Sequence, residues 1–252
     1  MRRVSTLLVP YHLDEHLPPL AALVPDADVV MTGSMPGETP WSRYAALHER
    51  VAGHVADLLA GATSRVDVVT GDCLIAAGTV AGLQRAGHDV GVVWFDGHGD
   101  VHTAESSTSG YPAGMSLRVV AGHRPPGWSP PAGLAAVEES RLVLVGARDL
   151  DPPEVEYLNG AAIRQVPVGE LDESAVPDGP LLVHVDLDVV DGASLPGLRF
   201  PVTPGPSPAE VVAATRRVLA TGRVACLEVA ATWFPIADPP AGRTLVDELL
   251  AS

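Results

Sequence analysis

Short apolar, β-branched runs alternate along the chain with longer stretches whose apolar positions recur at helical spacing. The short runs fall at residues 6–10, 66–70, 90–95, 142–145, 163–166, 181–185 and 224–229. Most are continuously apolar and do not alternate, the pattern of strands covered on both faces. The amphipathic stretches fall at residues 42–60, 74–86, 208–220 and 242–251. Pro208 follows Ser207, which reads as a serine cap with proline at the first helical position. This alternation predicts an α/β fold, a mostly parallel sheet sandwiched between helices. Stretches 122–133 and 196–208 are rich in glycine and proline. Neither joins two segments that each look complete, so both read as surface loops and residues 1–252 as one domain. Residues 25–45 mix turn formers with scattered apolar residues and receive no assignment.

Composition narrows the function classes. With 252 residues, 46% of them hydrophobic and 19% charged, the chain is globular and long enough for a substantial core. The net charge is −15 and every basic residue is arginine. Nucleic acid and anionic membranes need a basic footprint, so neither is expected as a main partner; a cationic small molecule is compatible. Two cysteines, Cys73 and Cys226, are too few for a disulfide framework and fit a reducing cytosol. Arg2 and Arg3 precede only a short apolar run broken by Pro10, without a signal-peptide core. No window reaches the apolar length of a membrane span. The expected location is the cytoplasm.

The polar residues that follow the strands matter most, because ligands of parallel sheets bind beyond the carboxyl ends of the strands. The run 90–95 leads into Asp96-Gly97-His98-Gly99-Asp100, and 181–185 into Asp186-Leu187-Asp188. The run 66–70 leads into Gly71-Asp72-Cys73, and the last strand carries Glu228. In extended chain, residues i, i+2 and i+4 share a face, so Asp96, His98 and Asp100 are three candidate ligands on one side. A lone segment of this kind can equally be a polar loop whose carboxylates accept backbone amides. Five ionisable groups at the ends of apolar strands, however, repel one another unless a cation is present. Carboxylates with a single imidazole favour manganese over zinc, and bridging aspartates hold two ions about 3.5–4 Å apart. Such a pair generates a hydroxide nucleophile near neutral pH, and the chain shows no nucleophile elbow, phosphate-binding loop or dinucleotide fingerprint.

With these residues in view, the chain resembles the arginase/agmatinase (ureohydrolase) family from Gly71 to about Val229. The carriers are Gly71-Asp72-Cys73, Asp96-Gly97-His98-Gly99-Asp100, Thr108-Ser109-Gly110, Arg148-Asp149-Leu150-Asp151, Asp186-Leu187-Asp188 and Leu227-Glu228-Val229. The resemblance implies a three-layer α/β/α sandwich with an about eight-stranded sheet and two Mn2+ per chain. It implies that Asp96 and Asp186 bridge the metals, that Asp100 completes one shell, and that His98 and Asp188 complete the other. Glu228 matches the carboxylate that receives the guanidinium of the substrate. Ser109 and Asp151 match contacts to an α-carboxylate and an α-amino group, and Glu154 a further acid near that amine. Asp151 equally reads as a helix cap at 152–158.

Three departures qualify the match. Cys73 stands where the family pattern places a metal-ligating histidine. At a helix start its thiolate is favoured, and a soft ligand makes that position tolerant of another divalent metal. Ala113 stands where arginases carry a proton-transfer histidine, which removes a general acid commonly worth about 10²–10⁴-fold. His102 and Tyr111 replace two asparagines, so His102 is a candidate proton carrier or carboxylate binder. Together these features look most like the Nω-hydroxy-L-arginine amidinohydrolase branch, which releases hydroxyurea and ornithine. The alternatives are arginine, agmatine or another guanidino or formimino substrate, and a catalytically silent binding protein. An oligomer is compatible with the family, but no assembly motif stands out.

Overall fold

The computed structural model describes residues 4–61, 63–231 and 240–251. Its main sheet contains β1 (Val4–Val9), β2 (Val29–Val30), β3 (Arg65–Thr70), β4 (Gly91–Phe95), β5 (Leu142–Val145), β6 (Arg164–Val166), β7 (Leu181–Asp186) and β8 (Val224–Ala230). All eight are parallel, in the order β2-β1-β3-β8-β7-β4-β5-β6. Helices α1 (Pro40–Ala60), α2 (Ala76–Arg85), α3 (Ser116–Val120), α4 (Pro152–Gly160), α5 (Pro208–Leu219) and α6 (Pro240–Leu250) complete it.

Two separate cores explain why the strands read as unbroken apolar runs. Val92 and Trp94 of β4 and Leu142 and Leu144 of β5 pack with Val51, Val55, Val80 and Leu83 of α1 and α2. The intervening residues, Val93, Phe95, Val143 and Val145, pack with Val211, Val218, Val246 and Leu249 of α5 and α6. β4 and β5 therefore bury both of their faces, which is the three-layer arrangement expected.

Local signals set most boundaries. Thr39 caps α1 in a capping box with Ser42, and Ser207 caps α5 with Glu210. The expected helix at 74–86 begins later: Cys73–Ile75 is a 3-10 turn, and α2 starts at Ala76. β2, only two residues long, lies in the unassigned stretch 25–45 and adds an edge strand. Among the described residues, no helix is long and apolar enough to cross a membrane.

Candidate metal centre

The carboxyl ends of β3, β4 and β7 converge, bringing Cys73, Asp96, His98, Asp100, Asp186 and Asp188 to one cavity of about 540 Å³. Within it, ligand atoms of Cys73, Asp96 and Asp186 lie within 4.8 Å of one another, and so do those of Asp96, His98 and Asp188. Asp96 belongs to both groups, and Asp186 to the Cys73 group only. The local geometry pins these carboxylates from behind. Asp96 accepts the His98 backbone N–H at 2.7 Å and the Trp94 indole Nε1–H at 3.0 Å. Asp186 accepts the Asp188 N–H at 2.9 Å, and Asp188 accepts the Gly97 N–H at 3.1 Å.

The site demands positive charge. Burial and then the neighbouring Asp96 carboxylate push Asp100 well up, and burial with Asp188 and Asp96 does the same to Asp186. Burial works against a charged His98, but Asp188 at 3.1 Å and Asp96 overwhelm it and raise its pKa to about 12. A proton there occupies the place where cation charge belongs, and metal ligation displaces it because a ligating imidazole is neutral. One oxygen of Asp100, Oδ2, is buried without a hydrogen-bond partner, and its backbone holds φ at 53°. A strained backbone that aims an unsatisfied carboxylate into a cluster of acids fits a divalent cation. The donor set fits a hard-to-borderline metal, with Cys73 the soft exception.

Cys73 opens a 3-10 turn that runs directly into α2, so it does sit at a helix start. Burial, Asp186, Asp100 and Asp96 nevertheless push its thiol pKa well up. A thiolate there would need a cation as well as the helix start.

Glu228 lies deeper in the sheet than the other candidate residues. It is fully buried, one pleat below the cavity floor, in register with His184, whereas Ala230 is level with Asp186. His184 donates its Nδ1–H to Glu228 Oε1 at 2.8 Å, and Thr79 donates its hydroxyl to Oε2. Both carboxylate oxygens are thus engaged within the protein, and Glu228 does not line the cavity. His184 in turn stacks on Trp94, with ring centres 3.7 Å apart.

The rim is built from loops. His102 donates Nε2–H to Asp151 Oδ2 at 3.1 Å and accepts at Nδ1 from Ser106 at 3.0 Å. Asp151 heads α4, where Glu154 accepts the Asp151 N–H at 3.1 Å and the Val101 N–H at 3.3 Å. Glu154 is buried, so its first task is to tie α4 to the loop after Asp100. Ser109 is exposed on the lip, and Ala113 presents only a methyl group. Sequence reasoning missed His12, Arg199 and Phe200, the last of which lines the cavity beside Tyr111. It also missed Trp94, Thr79 and His184. The signal for Trp94 and His184 was available, since each sits two residues before a candidate ligand aspartate on the same strand face.

Residues 1–246 match the sequence profile of the Arginase family. The chain belongs to the arginase family. Among relatives, it is 34% identical over 148 residues to the N(omega)-hydroxy-L-arginine amidinohydrolase of Streptomyces lavendulae, covering 57% of this chain and 52% of that protein. It is 33% identical over 153 residues to the arginase of Bacillus caldovelox, covering 55% and 51%. These matches thus span about half the length of the curated relatives. The solved arginase from Bacillus subtilis superposes over 100% of this chain and 99% of its own, with TM-score 0.81 and 26% identity. The eight-stranded parallel sheet and flanking helices are those of the arginase-like fold.

Proposed function

We propose that this chain is a dinuclear manganese amidinohydrolase, one domain over residues 1–252, that cleaves the guanidino C–N bond of an arginine-like amino acid. The favoured substrate is Nω-hydroxy-L-arginine. The observation that carries this reading is the pair of ligand groups sharing Asp96 at the floor of one cavity.

Cys73, Asp96, His98, Asp100, Asp186 and Asp188 are the residues to hold the cations. When bound, two such ions lower the pKa of water and supply a nucleophile near neutral pH. The protein's part is to fix the carboxylates, exclude bulk water and orient the substrate. Asp151, held by His102, faces the α-amino group, with Glu154 behind it, and Ser109 stands at the lip for the carboxylate. Both His102 nitrogens are already hydrogen-bonded, which suits positioning better than proton carriage. The Ala113 methyl offers no proton to a leaving amine. The same ornithine amine leaves arginine and hydroxyarginine, so the preference for the hydroxylated guanidine rests on the similarity to the hydroxyarginine amidinohydrolase of Streptomyces lavendulae. Both cysteines are free and buried, which fits the cytoplasm as the proposed location.

The test is elemental analysis of the purified protein coupled to a substrate panel read for urea, hydroxyurea and formamide. The expected outcome is about two manganese ions per chain and faster hydroxyurea release from hydroxyarginine than urea release from arginine. Equal rates remove the preference for hydroxyarginine. Absence of both bindable metal and turnover identifies a silent binding protein.

A further inference from the structure

Backbone carbonyls behind the metal centre converge on one cation, Arg148. It follows β5, and in the sheet β4 lies between β5 and β7. The N–H groups of Arg148 and Asp149 both donate at 3.0 Å to the carbonyl of Gly97, the residue between Asp96 and His98. The Arg148 side chain reaches past β4 to the loop after β7. There Nη2 lies 3.3 Å from the Asp188 carbonyl oxygen and 3.1 Å from that of Val190. The same nitrogen lies 3.0 Å from the Val202 carbonyl oxygen, while Nε donates to Pro204 at 2.7 Å and Nη1 to Gly146 at 3.1 Å. Five carbonyl oxygens from three chain segments thus surround one guanidinium.

Two glycines make room for this approach. A Cβ at Gly205 would stand 2.8 Å from Arg148 Cζ, and one at Gly97 would stand 2.9 Å from the Asp188 carbonyl oxygen. Gathered carbonyl dipoles repel one another and need a donor-rich cation between them. Arginine offers five N–H groups in a fixed plane, whereas lysine offers three at a single point. Asp191 secures the far side by accepting the Gly205 N–H at 2.8 Å. The guanidinium reaches only half of the metal centre. Asp96, His98 and Asp188 form the group whose backbone it holds, through Gly97 and Asp188. Cys73 follows β3, two strands beyond β7.

We propose that Arg148 is a positioning residue that clamps the Asp96–His98–Asp188 group through its backbone, and so sets the affinity of one metal position and not of the other. The clamp rests on the dinuclear reading above. Arg148 does not line the cavity, so it acts on the centre only through the loops it ties together.

The experiment titrates the metal-stripped full chain with manganese and with cobalt(II). It compares the unaltered protein with Arg148→Met, Arg148→Lys and Gly205→Ala, whose added methyl presses on the guanidinium. Calorimetry reads the sites and their affinities, and the thiolate-to-cobalt absorption band reports the Cys73 position alone. The expected result in Arg148→Met is one site weakened about 10- to 100-fold, as for loss of other partners that orient ligands, with the thiolate site unchanged. Gly205→Ala weakens the same site, and Arg148→Lys recovers part of the loss because it keeps the charge and some of the donors. A loss shared equally by both sites, a loss at the thiolate site alone, or no loss overturns the clamp. Should Arg148→Met not fold, Gly205→Ala and Arg148→Lys decide by the same readings. If the unaltered protein takes up neither metal, the dinuclear reading falls and the clamp with it. Two sites without a thiolate band remove Cys73 from the ligands, and the selective loss is then read by calorimetry.

Discussion

Cys73 Sγ lies 2.7 Å from Asp186 Oδ2, a thiol and a carboxylate brought together in a fully buried site. Two acidic groups at that distance are compatible only while a proton or a cation sits between them, so metal affinity here is coupled to thiol ionisation. Cys73→His replaces a soft donor by a borderline one. It is expected to raise the manganese-to-zinc ratio taken up from an equimolar mixture, whereas Cys73→Ala drops the metal content from about two to about one per chain. Elemental analysis after dialysis reads both. Unchanged content in Cys73→Ala removes the thiol from the ligand set.

Trp94 connects Asp96 to the interior of the sheet. Its indole donates to Asp96 Oδ2 while its face stacks on His184. Trp94→Phe keeps most of the stacking area and removes only the donor. Metal affinity is expected to fall about 10- to 100-fold, as for loss of other partners that orient ligands, with little change in the far-UV spectrum. A metal titration followed by thermal shift measures it, and an unaltered affinity shows that the indole does not orient Asp96.

The parallel sheet and the cluster of polar residues at its carboxyl end were legible because both obey short-range rules. Strands such as Val92–Phe95 are continuously apolar since α1, α2, α5 and α6 cover both faces, and the polar residue after each strand reaches the rim. What depended on tertiary placement was not legible. β2 has only two residues, too few for a periodic signal, and forms by pairing with β1. Glu228 looked like a rim residue from its motif, yet the register with β7 sets it one pleat down, beside His184. Arg199 and Phe200 sit in a loop whose composition says nothing of where it docks.

The environment of Glu228 leads to a test of that register. Thr79 and His184 occupy both its oxygens in a fully buried setting. Glu228→Ala leaves two buried polar partners unsatisfied and opens a cavity, a loss of about 2–5 kcal/mol in urea unfolding. Glu228→Gln retains the shape and is expected to keep KM within about threefold. A KM rise beyond tenfold in Glu228→Gln with unchanged stability places the carboxylate against the substrate instead.

His48, outside the candidate metal centre, is expected to make the fold sensitive to acid. Burial alone lowers its pKa to about 3, and its Nδ1 accepts the Trp128 indole N–H at 3.1 Å. Below about pH 6.5 the unfolded chain takes up a proton that the folded protein refuses, so stability falls as pH drops and goes on falling to about pH 3. Each pH unit in that window is worth about 1.4 kcal/mol. Urea unfolding at pH 7 and pH 5 should show this slope, and His48→Gln, which can still accept from Trp128, should flatten it. A slope unchanged by that substitution assigns the acid lability elsewhere.

Asp100 separates stability from metal binding most directly. Its buried carboxylate faces Asp96, Asp186 and Asp188, and it adopts a left-handed backbone that asparagine tolerates well and alanine does not. In metal-free protein, Asp100→Asn removes a buried acid from a repelling cluster and is expected to raise the melting temperature, a gain of about 1–3 kcal/mol. The same change removes an anionic ligand, so the further stabilisation on adding manganese should shrink, because a ligand stabilises only in proportion to its affinity for the folded state. Asp100→Ala should lose on both counts through backbone strain. Melting curves with and without manganese for the three proteins decide the matter: a metal-free Asp100→Asn that melts below the unaltered chain shows that Asp100 supports the fold rather than straining it for the sake of the cation.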